Sequence, residues 1–346
     1  MAGRTPRQTP TMSDVARHAG VSVSTVSHVL NKTRPVADAT ARAVLDAVAH
    51  TGYVPDAVAR ALGNSGYGTI GLAMSALSNP YFSNVVHGID RHASAAGYSL
   101  LLADTHDAHD REIKAVSELL RRRVSAIILA PSGDGATAIH YASQVDIPII
   151  VIDRFVPAPV DQIAVDNVEP TAALVEHLAS LGHTRIAMLT GRSGLATTTE
   201  RLAGYRTGLS RTGLGPEPSL EADGDSTEQG AVQAVRRLLS LQRPPTAIVA
   251  GNNRMTIGAM QALRDAGLRV PGDMALVSFD DFEWADLFQP RLTAIAQPAL
   301  SIGEQAVEMA LARIRDPKMP PRKVTIKPVF THRESCGCPS VTRIPG

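Results

Sequence analysis

The twenty residues Met12–Asn31, MSDVARHAGVSVSTVSHVLN, constrain this chain more than any other stretch. They set a small residue, a glycine and an apolar residue at the three spacings a helix-turn-helix requires. Ala16 is the fifth residue, and its methyl lets two helix axes approach closely. Gly20 is the ninth, at the turn, where a positive φ costs a glycine almost nothing. Val26 and Val29 follow on the second helix, spaced to pack back on Val15 and Ala19. That leaves Val23, Ser24, Thr25, Ser27 and His28 near the outward face, as in an element that enters a DNA major groove. Ser22 is placed to cap the second helix, and a capped N-terminus favours a nearby phosphate.

Downstream, the pattern predicts a third helix over 37–50. Ala41, Val44, Leu45 and Val48 fall at the i, i+3, i+4, i+7 spacing of one buried face. Asp38 in its first turn and His50 near its end agree with the helix dipole, and Gly52 closes it. Pro55 begins a short helical segment over 56–62, followed by the flexible joint Gly63-Asn64-Ser65-Gly66. Seven residues make no stable isolated helix, so this segment is expected to need a partner to order. Lys32 and Arg34 are candidates for phosphate contact. Residues 1–60 hold seven basic and four acidic groups, in a chain whose overall charge is only +1. A basic head on a weakly acidic body suits nucleic-acid binding.

The run NKTRPVADATARAVLDAVAHTGYVPDAVARALG extends the pattern, and with it the chain resembles the lactose-repressor (LacI/GalR) family of bacterial transcription regulators. The segments TVSHVLNKTR and AVARAL carry the likeness furthest, toward the purine-repressor branch. The resemblance spans Thr11 to about Cys338. It implies that Val23, Ser24 and His28 read bases. It also implies that 56–62 is a hinge helix ordered on DNA, with Leu62 wedged into the minor groove. Many relatives carry a basic residue after this leucine, whereas this chain has Gly63.

From Thr69 onward, short apolar runs alternate with amphipathic helical stretches. The strand candidates are TIGLAM (69–74), YSLLLAD (98–104), AIILA (126–130), PIIVID (148–153), QIAVD (162–166), RIAMLT (185–190), TAIVAG (246–251) and MALVSFD (274–280). Such runs separated by helices indicate parallel sheets covered on both faces. KVTIKP (323–328) suits a return crossing between two sheets. Ligands of open α/β sheets sit beyond the carboxyl ends of the strands. Those ends carry Asn79-Pro80-Tyr81-Phe82, Asp153-Arg154, Asn252-Asn253 and Asp280-Asp281, with Arg201 opening a helix. Carboxylates, amides, arginines and an aromatic together suit a polyhydroxylated ligand. The resemblance supports Asp153, Arg201, Asn252 and Asp280 as effector contacts and puts Phe82, Thr197, Trp284 and Gln297 near others. Leu195 stands about where the purine-repressor branch carries an arginine for its base ligand, which tilts the reading toward a sugar.

The same sequence excludes much. It contains no GxxxxGK[ST] loop or GxSxG elbow, and its GxGxxG match at Gly66–Gly71 leads into a strand candidate rather than from a strand into a helix, so no cofactor and no enzyme is expected. No apolar run reaches eighteen residues, and the opening MAGRTPRQTP lacks the apolar segment of a secretion signal. A cytoplasmic protein is therefore expected, and a sugar carrier on the same scaffold would have no use for residues 11–62. Cys336 and Cys338 read as two unpaired thiols in a tail, too few to close a zinc site. The Asp104–Asp110 stretch, with His106 and His109, reads as a loop and an acidic first helical turn, so no metal is expected there either.

The expected architecture is thus α/β: a helix-turn-helix head and hinge, then two Rossmann-like parallel-sheet subdomains of the periplasmic-binding-protein type. The expected divisions are an arm over 1–10, the head over 11–55, hinge and linker over 56–66, the effector and dimerisation domain over 67–338 and a tail over 339–346. The expected function is a repressor released from a pseudopalindromic operator by a sugar-like effector. The alternative is a corepressor-dependent regulator of the purine-repressor type. The tail SCGCPSVTRIPG has no leucine heptad, so a homodimer rather than a tetramer is expected.

Overall fold

The computed structural model describes residues 10–31, 34–53, 68–75, 80–133 and 135–338. It divides into two compact units, one up to Gly68 and one from Thr69. The expected hinge segment, with Leu62, and Lys32 lie outside the described residues.

The first unit holds three helices, α1 (Met12–Ala19), α2 (Val23–Asn31) and α3 (Asp38–Thr51). Thr11 caps α1 in a capping box: its hydroxyl accepts from the Asp14 N–H, and the Asp14 carboxylate accepts from the Thr11 N–H at 2.9 Å. Gly20 ends α1 at φ 65°, and its N–H returns to the Ala16 carbonyl. Ser22 accepts from the Thr25 N–H at 3.1 Å at the start of α2. Val15, Ala16, Val26, Val44, Ala47 and Tyr53 form the core, with Ala19, Val29 and Val48 packed on it. One expectation fails here. Leu45 is 54% exposed, and Ala47 takes the inner place. A three-helix core this small has room for the Val44–Ala47 pair, one turn apart, and the next residue round the helix faces out.

The second unit contains two six-stranded sheets of the same design. The first joins β1 (Thr69–Met74), β2 (Ser99–Asp104), β3 (Ala126–Leu129), β4 (Ile149–Asp153), β5 (Asp161–Val165) and β11 (Lys323–Ile326), in the order β11-β5-β4-β3-β1-β2. The second joins β6 (Ile186–Thr190), β7 (Glu221–Asp223), β8 (Ala247–Ala250), β9 (Ala275–Phe279), β10 (Thr293–Ala296) and β12 (Val329–Thr331), in the order β12-β10-β9-β8-β6-β7. All pairings are parallel except β10 with β12. The nine strand candidates each appear. The sequence reading missed β7, β10 and β12, which are three or four residues long.

Around the first sheet lie α4 (Pro80–Ala95), α5 (His109–Arg121), α6 (Ala136–Ser143) and α11 (Ala299–Arg315). Around the second lie α7 (Val168–Ser180), α8 (Ala196–Arg211), α9 (Glu228–Leu239) and α10 (Asn253–Asp265). The chain passes between the halves after β5, after β10 and between β11 and β12. KVTIKP therefore does lead a crossing: Lys323–Ile326 adds to the first sheet beside β5, and Val329–Thr331 adds to the second. Helices α4 and α11 meet at Gly88 and Gly303. A Cβ there would stand 2.4 Å from the Leu300 or the Val85 carbonyl oxygen, so only glycine permits the approach.

The two thiols are unpaired, as expected, but they sit in a packed turn rather than a tail. Cys336 is fully buried, Cys338 is half-buried, and neither is in a disulfide. Ser335 seats the turn by accepting from the Thr293 N–H at 2.9 Å and donating to the Leu276 carbonyl.

Candidate functional site

Two sets of residues were singled out, one on each unit. On the head, Val23 is 44% exposed at the start of α2, and Ser24 is exposed beside it. Thr25, Ser27 and His28 are half-buried along the same helix, and Arg34 is exposed after it. The Ser22 hydroxyl lies 2.8 Å from both the Ser24 and the Thr25 hydroxyls, which fixes the first turn of α2. This end of α2 offers hydroxyls, backbone N–H groups and the positive end of a helix dipole.

In the second unit, the carboxyl ends of the two sheets line a cavity of about 270 Å³. Phe82, Asp153, Arg154, Thr197, Arg201, Asn252, Asp280 and Gln297 all line it, eight of the nine residues expected. Trp284 does not. It lies in a short 3-10 turn, 44% exposed, with its ring edge-on to Phe282 at 5.3 Å. Phe282 occupies the inner seat against Phe288, which leaves Trp284 on the solvent side.

Asp153 is the last residue of β4 and Asp280 the first residue after β9, the matching strands of the two sheets. Each has a left-handed backbone, with φ of 74° and 73°. Aspartate tolerates that region better than most residues, yet it still costs about 1–3 kcal/mol. Asp153 accepts two hydrogen bonds from Arg154, at 2.9 and 2.8 Å, with both side chains buried. Burial opposes the Arg154 charge, but Asp153 and Asp107 outweigh it and hold the guanidinium protonated. Asp280 is placed otherwise. It accepts from the Gln297 amide, and the Arg201 Nη2 stands 3.8 Å away. Burial pushes its carboxyl above the usual range, and Arg201 pulls it back only in part.

Arg201 is fixed from three sides. It donates to Asn167 at 2.8 Å and to the Gly251 carbonyl at 2.6 Å, and its guanidinium lies 3.7 Å from the centre of the Phe279 ring. Asn252 caps α10 by accepting from the Met255 N–H at 2.8 Å. Three buried atoms of lining residues, Arg154 Nη1, Gln297 Oε1 and Arg254 Nε (3.6 Å from the Glu228 carboxylate), have no hydrogen-bond partner among the described residues. A buried donor and a buried acceptor left open in one cleft are what a ligand hydroxyl satisfies, since it both donates and accepts.

Sequence reasoning missed several residues. His106 and Asp107 line the cleft from the loop after β2, where Asp104 accepts from the His106 N–H at 2.8 Å. Arg192 reaches from the second half to the Asp107 carbonyl of the first at 3.4 Å and also bonds Asp225. Asn167, which orients Arg201, follows β5, so the strand-end rule that found Asp153 would have found it too. Leu195 lies buried in the lining.

A family model described as bacterial regulatory proteins, lacI family, matches residues 11–56, and a periplasmic binding protein-like domain matches residues 175–336. The ribose operon repressor of Escherichia coli K12 is 36% identical, covering 94% of this chain and 99% of that protein. The chain belongs to the LacI family. It is a DNA-binding transcriptional repressor of that family, with a helix-turn-helix head and two periplasmic-binding-protein-like subdomains. The HTH-type transcriptional repressor PurR of Photobacterium profundum is 33% identical over 94% of this chain and 98% of its own length. Among solved structures, the lac repressor dimer bound to operator and the anti-inducer ONPF matches with a TM-score of 0.85 and 30% identity, covering 95% of this chain and 99% of that one. A LacI-family regulator from Enterococcus faecium with bound ribose matches with a TM-score of 0.71 and 25% identity, covering 77% and 98%. Among the described residues, no helix is long and apolar enough to cross a membrane.

Proposed function

We propose that this repressor is released from its operator by a small aldose of the ribose class bound in the cleft. The observation that carries the reading is the lining itself. Three carboxylates, four arginines and two amides line a cavity of about 270 Å³, with Arg154 Nη1 and Gln297 Oε1 still open. That volume suits a monosaccharide, since it falls below the roughly 300–1,000 Å³ of drug-sized sites. Carboxylates accept from hydroxyl pairs, arginines donate in a fork, and Phe82 offers an apolar face to the ring. Two relatives named above are a ribose operon repressor and a regulator with bound ribose. Leu195 in the lining offers nothing to pair with the polar edge of a purine. The protein acts in the cytoplasm as a homodimer and catalyses no reaction.

On the head, Val23, Ser24, Thr25, Ser27 and His28 read the major groove, and Lys32 and Arg34 hold phosphates. Leu62 is the minor-groove wedge. Val23 offers only apolar contact, such as with a thymine methyl. His28→Ala is expected to cost roughly 1–3 kcal/mol at one base pair of the operator and little elsewhere. Equal loss on every operator variant makes His28 a backbone contact instead.

Calorimetry with D-ribose and with hypoxanthine tests the effector reading. Saturable ribose binding, weakened in Arg201→Ala, is the expected result. Hypoxanthine binding without ribose binding favours the corepressor alternative, for which the PurR relatives speak.

A further inference from the structure

Four donor side chains converge in the second half of the body, outside the cleft. His177 lies in the last turn of α7, His332 follows β12, and Cys336 and Cys338 lie in the turn beyond. Their ligand atoms, two imidazole nitrogens and two sulfurs, all lie within 4.8 Å of one another. We propose that these four residues bind one zinc ion in a closed Cys2His2 site that clamps the end of the last crossing segment to α7.

The geometry fits the ion. The Cys336 sulfur is 3.3 Å from His332 Nε2, and the Cys338 sulfur is 3.5 Å from His177 Nε2. Zinc bonds of about 2.3 Å to sulfur and about 2.0–2.1 Å to nitrogen put the two atom types about 3.6 Å apart around a tetrahedron. The two imidazole rings stand edge to face at 4.8 Å, which keeps them from stacking and leaves both nitrogens facing the sulfurs. Two sulfurs and two imidazoles suit zinc and disfavour calcium or magnesium, which take oxygen ligands. Four protein ligands leave no open position, so the role is structural.

The local fold itself positions the donors. Gly337, between the cysteines, has φ 85°, a left-handed conformation that turns the chain sharply enough to bring both sulfurs to one side. Arg333 ties the segment down by donating to Asp281 at 3.0 and 2.8 Å and to Asp286 at 2.7 Å. Together with the seating of Ser335, these contacts make a preformed site. A direct Cys336–Cys338 disulfide would be strained at this spacing.

The test uses the full chain, reduced and stripped of metal, titrated with zinc against a chromophoric chelator and separately with cobalt(II). The expected result is one equivalent per chain, a tetrahedral cobalt spectrum with a thiolate charge-transfer band, and a melting temperature raised by zinc and restored by chelator. Cys338→Ser should weaken zinc at least ~100-fold and reduce the charge-transfer band. His332→Gln, at an exposed side chain, should weaken zinc while leaving the circular dichroism unchanged. Failure of the reduced wild type to retain zinc overturns the proposal. So does a cobalt spectrum without thiolate character, or zinc affinity unchanged in both variants.

Discussion

Asp153 and Asp280 stand at the carboxyl ends of matching strands of two similar sheets with nearly the same left-handed backbone, yet their charges are held differently. Asp153 is locked to its chain neighbour Arg154 by two short hydrogen bonds, so this wall of the cleft carries a finished ion pair. Asp280 has a side-chain amide on one oxygen and an arginine at 3.8 Å, borrowed from a different helix. Asp153 has a bidentate ionic partner of its own, whereas Asp280 relies on the Gln297 amide, the Asn253 backbone and a more distant arginine, and burial still raises its carboxyl. The backbone repeats, and the division of labour lies in the partners.

The largest effect expected from breaking this comparison is on stability. Asp153→Asn leaves the buried Arg154 without its ionic partner, and should cost about 3–5 kcal/mol in urea unfolding. Asp280→Asn should cost the ligand-free protein little or nothing at neutral pH. Equal losses in the two variants would erase the distinction drawn here. Next comes binding. Under the proposed function, Arg201→Ala and Asp280→Asn should each weaken ribose binding by roughly 1.5–3 kcal/mol, the worth of a hydrogen bond to a charged group, as read by calorimetry.

The smallest effect concerns pH. The Asp280 carboxyl is raised in the folded state, chiefly by burial. Its contribution to stability is therefore full below the ordinary aspartate value of about 3.9 and is lost as pH rises through the raised one. The slope is at most about 1.4 kcal/mol per pH unit for one proton. Unfolding of the wild type and of Asp280→Asn between pH 4 and 7 should show this loss in the wild type alone. Effector affinity should run the other way, falling on acidification through the same raised value, because the charged carboxylate is the form that accepts from sugar hydroxyls.

Much of this was legible in the sequence, for physical reasons that differ by region. The head was read from local spacing, because Ala16, Gly20 and Val26 each answer a steric demand within twenty residues. Strands buried on both faces announce themselves as apolar runs, which is why Ile149–Asp153 and Ala275–Phe279 stood out. Glu221–Asp223 carries two carboxylates in three residues and offered no such run. The return of α11 from the second sheet to the first is a long-range event with no local signature. At the cleft, strand ends located most of the lining. The role of Phe282, which displaces Trp284 outward, depends on the packing of Phe288 from further along the chain. The approach of His177 to His332, Cys336 and Cys338 was hidden for the same reason: α7 and the C-terminal turn meet only in the folded second half.

Coupling between cleft and operator is the central consequence of the proposed function. Its most direct test is fluorescence anisotropy with an operator duplex selected from random sequence, titrated with and without saturating D-ribose. The account predicts weaker operator affinity with ribose, and ribose affinity weakened by operator by the same factor, as linkage requires. Operator affinity unmoved by ribose, or tightened by it, would contradict it.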